Sequence, residues 1–294
     1  MKFEDQYKKI ESYNVPTLDK VVRLSDFVPG IFKTISSKKG MKNAIKKGLV
    51  KINGEIGYTA DYIKGGENIE LYQSKIPENK PTIDLNIEVI FEDDYLAIVN
   101  KPAGILVSGN KKWTLENALS SNLKKSAKKD ALHRPEPIHR LDYPTSGALL
   151  VGKTTQAVMD LNKLFEERKI EKTYYAITIG LIEDSGTINT EIDNKTAKTE
   201  FEILRKLSSP KYEFLNLIKL KPHTGRRHQL RIHMAGRGNP IFGDLKYGKE
   251  GLILQGKGLY LHASGLKFLH PFTGDLVSVN ISLPKKFKKL FPAI

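Results

Sequence analysis

The larger, C-terminal part of the chain has a pattern of hydrophobic residues typical of β-strands. Leu85, Ile87, Val89 and Phe91 occupy every second position, and the Asp93-Asp94 step after them is typical of a turn. Further strands are predicted at residues 96–99, 147–151, 173–180, 214–220 and 276–283. These segments predict a domain in which sheet dominates.

Helices between these strands are few. Thr154 is placed to cap one of them, and its apolar positions recur at helical spacing. Those positions are Val158, Leu161, Leu164 and Phe165. The lysine-rich stretch at residues 120–137 predicts a mobile loop. The predicted fold class is therefore α+β, with a mixed, largely antiparallel sheet.

The segment 17–72 predicts a smaller α/β unit. A first helix is predicted to start at Leu18, and a second one is predicted to end at Gly48. The second helix has Met41, Ala44 and Ile45 at helical spacing, and Ser36 or Ser37 can cap it.

A β-hairpin and a linker complete this part of the chain. Val50 and Ile52 alternate with polar residues and lead into Asn53-Gly54, a strong hairpin signal. The run SKIPENKP after residue 73 has two prolines and mixed charge, which is typical of an exposed linker. The predicted organisation is a small domain at residues 1–75, a linker at 76–83 and a second domain at 84–294.

Charge changes this picture by pointing to a polyanionic partner. The 294 residues include 48 Lys and Arg against 33 Asp and Glu, which gives a net charge of +15. No apolar run is long enough to span a membrane, and the sequence MKFEDQYKKIES at the N-terminus lacks the apolar core of a signal peptide. We therefore expect a cytoplasmic protein without membrane association. The absence of cysteine excludes thiolate chemistry and cysteine-based zinc sites.

Seven lysines and no acid lie between Lys33 and Lys51. Such a run is usually a solvated helix surface, but the absence of a compensating acid favours a phosphate-contacting surface. The candidate phosphate contacts are Lys38, Lys39, Lys42, Lys46 and Lys47. Lys101, in a Lys-Pro-Ala-Gly turn, could equally contact phosphate or be simply exposed.

The stretch HRLDYPTSG at residues 139–147 places Asp142 in a turn-rich sequence. This aspartate could cap its own backbone, or it could be a catalytic group. A kinase catalytic loop is excluded because no glycine-rich phosphate loop or Asp-Phe-Gly motif accompanies it. His139 is expected to orient the loop.

Three histidines raise the question of a metal. His223, His228 and His233 are five residues apart, a spacing that fits no common zinc motif, and the arginines between them would repel a cation. We predict no metal site. Instead, Thr224 is predicted to cap a short helix that ends at Gly236, with Arg227 and Arg231 one turn apart.

Strand alternation separates two neighbouring tyrosines. Tyr175, Ile177 and Ile179 point to one face and are predicted to be core, so Tyr174 on the opposite face could line a cleft.

The sequence ISSKKGMKNAIKKGLVKINGE, at the centre of the small unit, resembles the S4 RNA-binding domain over about residues 16–73. Five later segments, in order, are similar to motifs of RNA pseudouridine synthases of the RluA branch. They are HRLDYPTSG, KTYYA at 172–176, HTGRRHQLRIH at 223–233, GNPIFGDLKYG at 238–248 and LHASGLKFLHPFTGD at 261–275. The sequence departs from common family usage at Tyr143-Pro144 and at Asn239.

This resemblance implies an isomerase that converts uridine to pseudouridine without metal or cofactor. It implies that Asp142 is the catalytic aspartate, that Arg231 pairs with it, and that Tyr174 packs on the target base. It also implies that Arg140 fills the space left by the flipped base. The aspartate could act as a nucleophile or as a base.

RNA is therefore the expected partner, and a monomer is expected. Ribosomal RNA of the large subunit is the leading substrate hypothesis and transfer RNA the alternative. A non-catalytic RNA-binding protein is the competing class. A phosphoryl-transfer enzyme is disfavoured because the sequence has no metal-binding carboxylate set or glycine-rich loop.

Overall fold

The structure, a computed structural model, describes residues 3–35, 38–74 and 81–292, except for the side chains of residues 4 and 5. It divides into two units, Met1–Lys80 and Pro81–Ile294. The proposed caps Ser36 and Ser37 and the linker residues 76–80 lie outside the described residues. The identity of the first unit as an S4-like domain stays a prediction.

The described residues of the first unit form three short helices and six strands. Its helices are α1 (Phe3–Gln6), α2 (Leu24–Phe27) and α3 (Lys38–Lys46). Its strands are β1 (Tyr7–Asn14), β2 (Val22–Arg23), β3 (Val50–Ile52), β4 (Glu55–Ile56), β5 (Tyr62–Ile63) and β6 (Asn68–Ser74). Four strands form an antiparallel sheet in the order β1-β6-β3-β4, and β2 pairs with β5.

Local sequence signals explain much of this unit. The predicted helix at Met41 is confirmed as α3, whose apolar residues are buried. It ends at Lys46, and Gly48, predicted to stop it, follows two residues later with a φ of +69°. The hairpin β3–β4 turns at Asn53 and Gly54, both with positive φ, as the Asn-Gly signal predicts.

The predicted helix at Leu18 is wrong. Helix α2 begins only at Leu24, because Val22 and Arg23 pair with β5 as a strand and the Leu24 N–H donates to the Asp61 carbonyl. Strand β1, which the sequence analysis does not predict, forms the edge of the sheet against β6.

The second unit is built around a large sheet, which confirms the predicted α+β class. Its helices are α4 (Glu116–Asn122), α5 (Thr155–Glu166), α6 (Gln229–Gly236) and α7 (Lys285–Leu290). Its strands are β7 (Glu88–Glu92), β8 (Leu96–Lys101), β9 (Ala131–Pro137), β10 (Ser146–Thr154), β11 (Glu171–Ile179), β12 (Ser185–Ile188), β13 (Thr199–Ser209), β14 (Glu213–Pro222), β15 (Leu261–Leu269) and β16 (Leu276–Asn280).

The sheet runs in the order β12-β13-β14-β11-β15-β10-β8-β7, with β16 beside β15 and β9 beside β10. Among these strands β10 and β15 pair in parallel, and the other pairs are antiparallel. The backbones of β10 and β15 lie very close together at Gly147, since a Cβ on this residue would lie 2.1 Å from the Ala263 carbonyl oxygen. Glycine is required there, also because its φ is +117°.

Both faces of this sheet are buried, which explains the nearly continuous apolar strands. Alternate residues of β8 and β10 enter two different clusters, one with α4 and one with α5. Alternate residues of β11 likewise pack towards α6 or towards α7. The predicted cap of α5 is confirmed, because the Thr154 hydroxyl accepts from the Ala157 N–H at 3.1 Å.

The predicted mobile loop at residues 120–137 is wrong. It contains the end of α4 and all of β9, which pairs with β10. The polar composition concealed this, because β9 lies at an edge of the sheet and exposes alternate residues. The strand predicted from Leu85 begins later, at Glu88. None of the described helices is long and apolar enough to cross a membrane.

Candidate active site

Asp142 lies in the loop that connects β9 to β10. The Thr145 N–H donates to the Asp142 carbonyl at 3.0 Å and closes a tight turn, while Leu141 is buried and anchors the loop in the core. The Gly104 N–H donates to the carbonyl of Tyr143 at 2.8 Å. These bonds fix the backbone on both sides of the Asp142 side chain.

Arg231 binds this carboxylate. Its Nη1 lies 3.2 Å from Asp142 Oδ2, as the sequence analysis predicts, and the Asp142 side chain is 16% exposed. Arg231 comes from α6, 89 residues further along the chain. Because the guanidinium is itself almost buried, its charge is little screened by water at the carboxylate.

A second aspartate holds Arg231 more firmly than Asp142 does. Asp244 accepts from Arg231 Nε and from Nη2, each at 2.8 Å, in a bidentate arrangement. Its carboxylate also accepts from the N–H groups of Lys246 and Tyr247. The Asp244 side chain is fully buried, so this ion pair is the structural anchor of the site.

Opposing effects determine the pKa values of this pair. Burial alone would lower the pKa of Arg231, but the bonds to Asp244 and Asp142 outweigh burial and raise it. Burial alone would raise the pKa of Asp244, but Arg231 and the two backbone N–H groups lower it. Both groups are therefore charged at neutral pH.

His228 contacts Asp142 from the other side. Its Nε2 lies 3.7 Å from Asp142 Oδ1, and its Nδ1 lies 2.9 Å from the Tyr247 hydroxyl. The Tyr247 ring in turn lies 5.1 Å from the Arg231 guanidinium carbon. Burial lowers the pKa of His228 despite the attraction of Asp142. A neutral imidazole beside the carboxylate follows from this at neutral pH.

A cleft of about 420 Å³ opens above the Asp142 carboxylate. This Asp142 cleft has a volume suited to a nucleobase or small ligand. Residues that line it include Arg140, Asp142, Lys172, Tyr174, His228 and Arg231. Three of these six side chains are cationic and one is anionic, so the cleft favours an anionic ligand.

Tyr174 lines the cleft from β11, as strand alternation predicts for its face. The same face of β11 is otherwise core rather than cleft, because Ala176 and Thr178 are fully buried beneath it. Burial and the charge of Asp142 raise the pKa of Tyr174, so its hydroxyl stays protonated. Its ring is available as a flat surface for a ligand.

Arg140 and His139 have different environments. Arg140 is exposed and lines the cleft. His139 Nε2 accepts from the Leu150 N–H at 3.0 Å, and its ring packs against Phe165. Burial and the nearby charge of Lys172 lower the pKa of His139 to about 3. This residue orients the loop in its neutral form, which agrees with the sequence expectation.

Lys101 matches neither of its predicted roles. It is completely buried, and its Nζ donates to the carbonyls of Thr145 at 2.7 Å and Pro102 at 2.9 Å. Burial lowers its pKa to about 8, although Asp142 acts in the opposite direction. Lys101 therefore supports the Asp142 loop from below and cannot reach an RNA phosphate.

The predicted cap of α6 is wrong. Thr224 does not begin a helix: its hydroxyl donates to Gln229 Oε1 at 2.6 Å, and α6 starts at Gln229 after His228 at a φ of +55°. Arg227 precedes the helix and is exposed, so it is not stacked one turn before Arg231. The sequence here forms a turn because the Gln229 side chain satisfies the Thr224 hydroxyl and the Arg226 N–H.

The three histidines of this segment bind separate partners. His223 contacts Glu200 at 2.8 Å, and His233 contacts the Thr199 hydroxyl at 2.9 Å. His228 faces Asp142. Across the residues that the structure describes, no three His, Asp or Glu side chains are grouped as a metal site.

The lysines of α3, together with Lys47 directly after it, form a separate candidate surface on the first unit. Lys38, Lys39, Lys42, Lys46 and Lys47 are all exposed. Lys38 pairs with Asp26 at 2.7 Å, so an acid outside the lysine run compensates part of its charge. The role of these lysines as RNA phosphate contacts stays a prediction.

Sequence reasoning missed Asp244 and Tyr247 as members of the site, and it considered His228 only as a metal ligand. Asp244 is followed three residues later by Tyr247 in GNPIFGDLKYG, a segment that was noted only as a motif. The available signal was a single acidic residue, Asp244, close in sequence to the arginine-rich segment that contains Arg231. That signal does not show that Asp244 pairs with Arg231, which lies 13 residues earlier in the chain.

The sequence of this chain is similar to those of known proteins. The family described as RNA pseudouridylate synthase matches residues 95–236. A ribosomal large subunit pseudouridine synthase D of Buchnera aphidicola is 32% identical, over 91% of this chain and 92% of that protein. A tRNA pseudouridine synthase C of Vibrio parahaemolyticus is 33% identical, over 70% of this chain and 94% of that protein.

A solved structure has the same fold. Human RNA pseudouridylate synthase domain containing 4 superposes with a TM-score of 0.56 at 24% identity. The match covers 68% of this chain and 90% of that one.

Proposed function

Because this chain belongs to the RNA pseudouridine synthase family of isomerases, we propose that Asp142 is the carboxylate that carries its reaction. The observation that supports this most is the Asp142 carboxylate itself, held at the base of a cationic cleft by Arg231. The same cleft contains Tyr174, so a carboxylate and an aromatic ring line one space.

The isomerisation needs an ionised carboxylate. The bond between uracil N1 and C1′ of the ribose breaks, the base rotates, and C5 forms the new bond to C1′. An anionic Asp142 can attack C1′ as a nucleophile or remove a proton from the sugar. Arg231 Nη1, 3.2 Å from Asp142 Oδ2, places a positive charge directly beside this carboxylate. Because Arg231 is anchored by Asp244, it needs no movement to do so.

Substrate access requires that the uridine leave its helix. We propose that the flipped uracil packs on Tyr174, with Arg140 filling the space it leaves in the RNA. Unstacking a base costs about a few kcal/mol, and stacking on an aromatic side chain returns about 1–3 kcal/mol. Arg140 suits the second role because it is exposed at the edge of the cleft.

We propose ribosomal RNA of the large subunit as the substrate. The Buchnera relative named for that RNA matches 91% of this chain, so its match includes most of the first unit. The relative named for transfer RNA matches 70%. An S4-like role for the first unit is consistent with this, since its exposed α3 lysines can bind RNA phosphates.

Tritium release tests this proposal. RNA labelled with tritium at uracil C5 loses the label when C5 bonds to C1′, so ribosomal and transfer RNA pools are offered separately. We expect wild-type protein to release tritium from the ribosomal pool and Asp142→Asn to release none. Release from transfer RNA alone would overturn the substrate assignment. RNA binding without release from either pool would identify a non-catalytic binder.

A further inference from the structure

Lys172 is a cation of the Asp142 cleft without an acidic partner among the described residues. It lies on β11, its side chain is partly buried, and its Nζ donates only to the Thr224 carbonyl, at 3.2 Å. Burying an ammonium group without a counter-charge is costly. Such an arrangement points to an electron-rich group that arrives with the substrate.

The position of Lys172 identifies which part of the substrate that group belongs to. Lys172 and Tyr174 are two residues apart on one strand, and both line the cleft. If the target uracil packs on Tyr174, its edge is within reach of the neighbouring lysine. Arg140 and Arg227 are more exposed at the same cleft, so they are better placed for parts of the RNA other than the bound uracil.

We propose that the Lys172 ammonium contacts the target uracil and stabilises the negative charge that develops on it as the bond from N1 to C1′ breaks. This inference rests on the proposed function. When that bond breaks, its electron pair stays with the uracil and spreads over the ring to O2 and O4. A positive group held beside those oxygens stabilises the transition state more than the ground state.

The inference holds for either role of Asp142. If Asp142 attacks C1′, the sugar is bonded to the carboxylate; if it removes a sugar proton, the sugar becomes a glycal and the proton is later returned. In both routes the uracil leaves with the electron pair. The ring then uses an electron pair to bond C5 to C1′. This step breaks the bond between C1′ and the Asp142 carboxylate in the first route and returns the sugar proton in the second, and the C5 proton is then lost. Lys172 thus acts on a step that both routes share.

The environment of Lys172 is consistent with a role in stabilising negative charge on the uracil. Burial and the positive charge of Arg168 lower the pKa of Lys172 to about 8. The ammonium form still predominates at neutral pH, and it is poorly solvated. A weakly solvated cation interacts more strongly with a developing anion than one in bulk water.

Two substitutions of Lys172 distinguish the effect of its charge from the effect of its side-chain packing. Lys172→Met keeps most of the aliphatic chain and removes the charge, whereas Lys172→Arg keeps the charge. Lys289→Met removes a charge from the exposed surface of α7 and serves as the matched control. Single-turnover tritium release, RNA affinity and thermal unfolding are measured for all four proteins, with the RNA pool that the wild type modifies.

We expect Lys172→Met to lower the single-turnover rate at saturating RNA by about 100-fold, with affinity and unfolding temperature near those of the wild type. Lys172→Arg should recover most of the rate, and Lys289→Met should not differ from the wild type.

Three results would overturn the inference. An unchanged rate in Lys172→Met would exclude a role in bond breakage. Weaker RNA binding at an unchanged maximal rate would identify a phosphate contact. A lower unfolding temperature in both Lys172 variants, with rates reduced alike, would identify a purely structural bond to Thr224. A wild-type protein that binds RNA but releases no tritium would instead remove the proposed function, and this inference with it.

Discussion

Asp244, rather than Asp142, should dominate the stability of the site. Asp244→Asn leaves the size of the side chain nearly unchanged but removes the charge that holds Arg231. The Arg231 side chain is 7% exposed and its two bonds to Asp244 are each 2.8 Å long. Breaking a buried ion pair by removing one partner costs about 3–5 kcal/mol. For a unit of this size the unfolding temperature should fall by roughly 6–20 °C.

Asp142→Asn provides the contrast within the same cluster. Asp142 contacts Arg231 once, at 3.2 Å, and its side chain is partly exposed. After this substitution Arg231 keeps both bonds to Asp244. The expected loss is therefore that of a single hydrogen bond, about 1 kcal/mol.

Urea unfolding of the full-length chain at neutral pH, followed by circular dichroism, measures both variants against the wild type. The free energy of unfolding should decrease in the order wild type, Asp142→Asn, Asp244→Asn. The reasoning would be refuted if Asp244→Asn were as stable as the wild type, or if Asp142→Asn were the less stable variant. Either result would mean that Asp244 does not anchor the guanidinium.

Two further predictions concern pH and salt. Because His139 accepts a backbone hydrogen bond with its pKa lowered to about 3, the unfolded chain takes up a proton near pH 6.5 that the folded chain does not. At pH values below 6.5 this residue should therefore lower the free energy of unfolding by up to about 1.4 kcal/mol for each pH unit, and the decrease should be smaller in His139→Gln. Equal slopes of unfolding free energy against pH in the wild type and in His139→Gln would contradict this. Replacing both Lys42 and Lys46 by Gln should make the slope of log RNA affinity against log salt shallower by about 1.4–1.8, compared with a Lys288→Gln, Lys289→Gln control. An unchanged slope would mean that the α3 lysines are only a solvated surface.

The sequence predicted those features that depend on neighbouring residues. The Asn53-Gly54 turn and the Thr154 cap each need only a local backbone geometry and one or two hydrogen bonds. The strand containing Tyr174 likewise follows from alternation along a few residues. Such features can be inferred from short patterns because their partners lie within a few positions.

Features that depend on distant partners could not be predicted in the same way. Lys101 resembles a surface lysine in the sequence but is buried under carbonyls of a loop more than 40 residues away. Strand β9 has a polar composition and becomes a strand because β10 provides its hydrogen-bond partner. Asp244 was missed for the same reason, since only the tertiary fold brings it to Arg231.

The most direct test of the central claim is single-turnover tritium release by wild-type protein and Asp142→Asn, at RNA concentrations that saturate both. We predict rapid release by the wild type and none above background by Asp142→Asn, with equal RNA affinity and closely similar stability. A variant that binds RNA equally and releases tritium at the wild-type rate would contradict a catalytic role for Asp142.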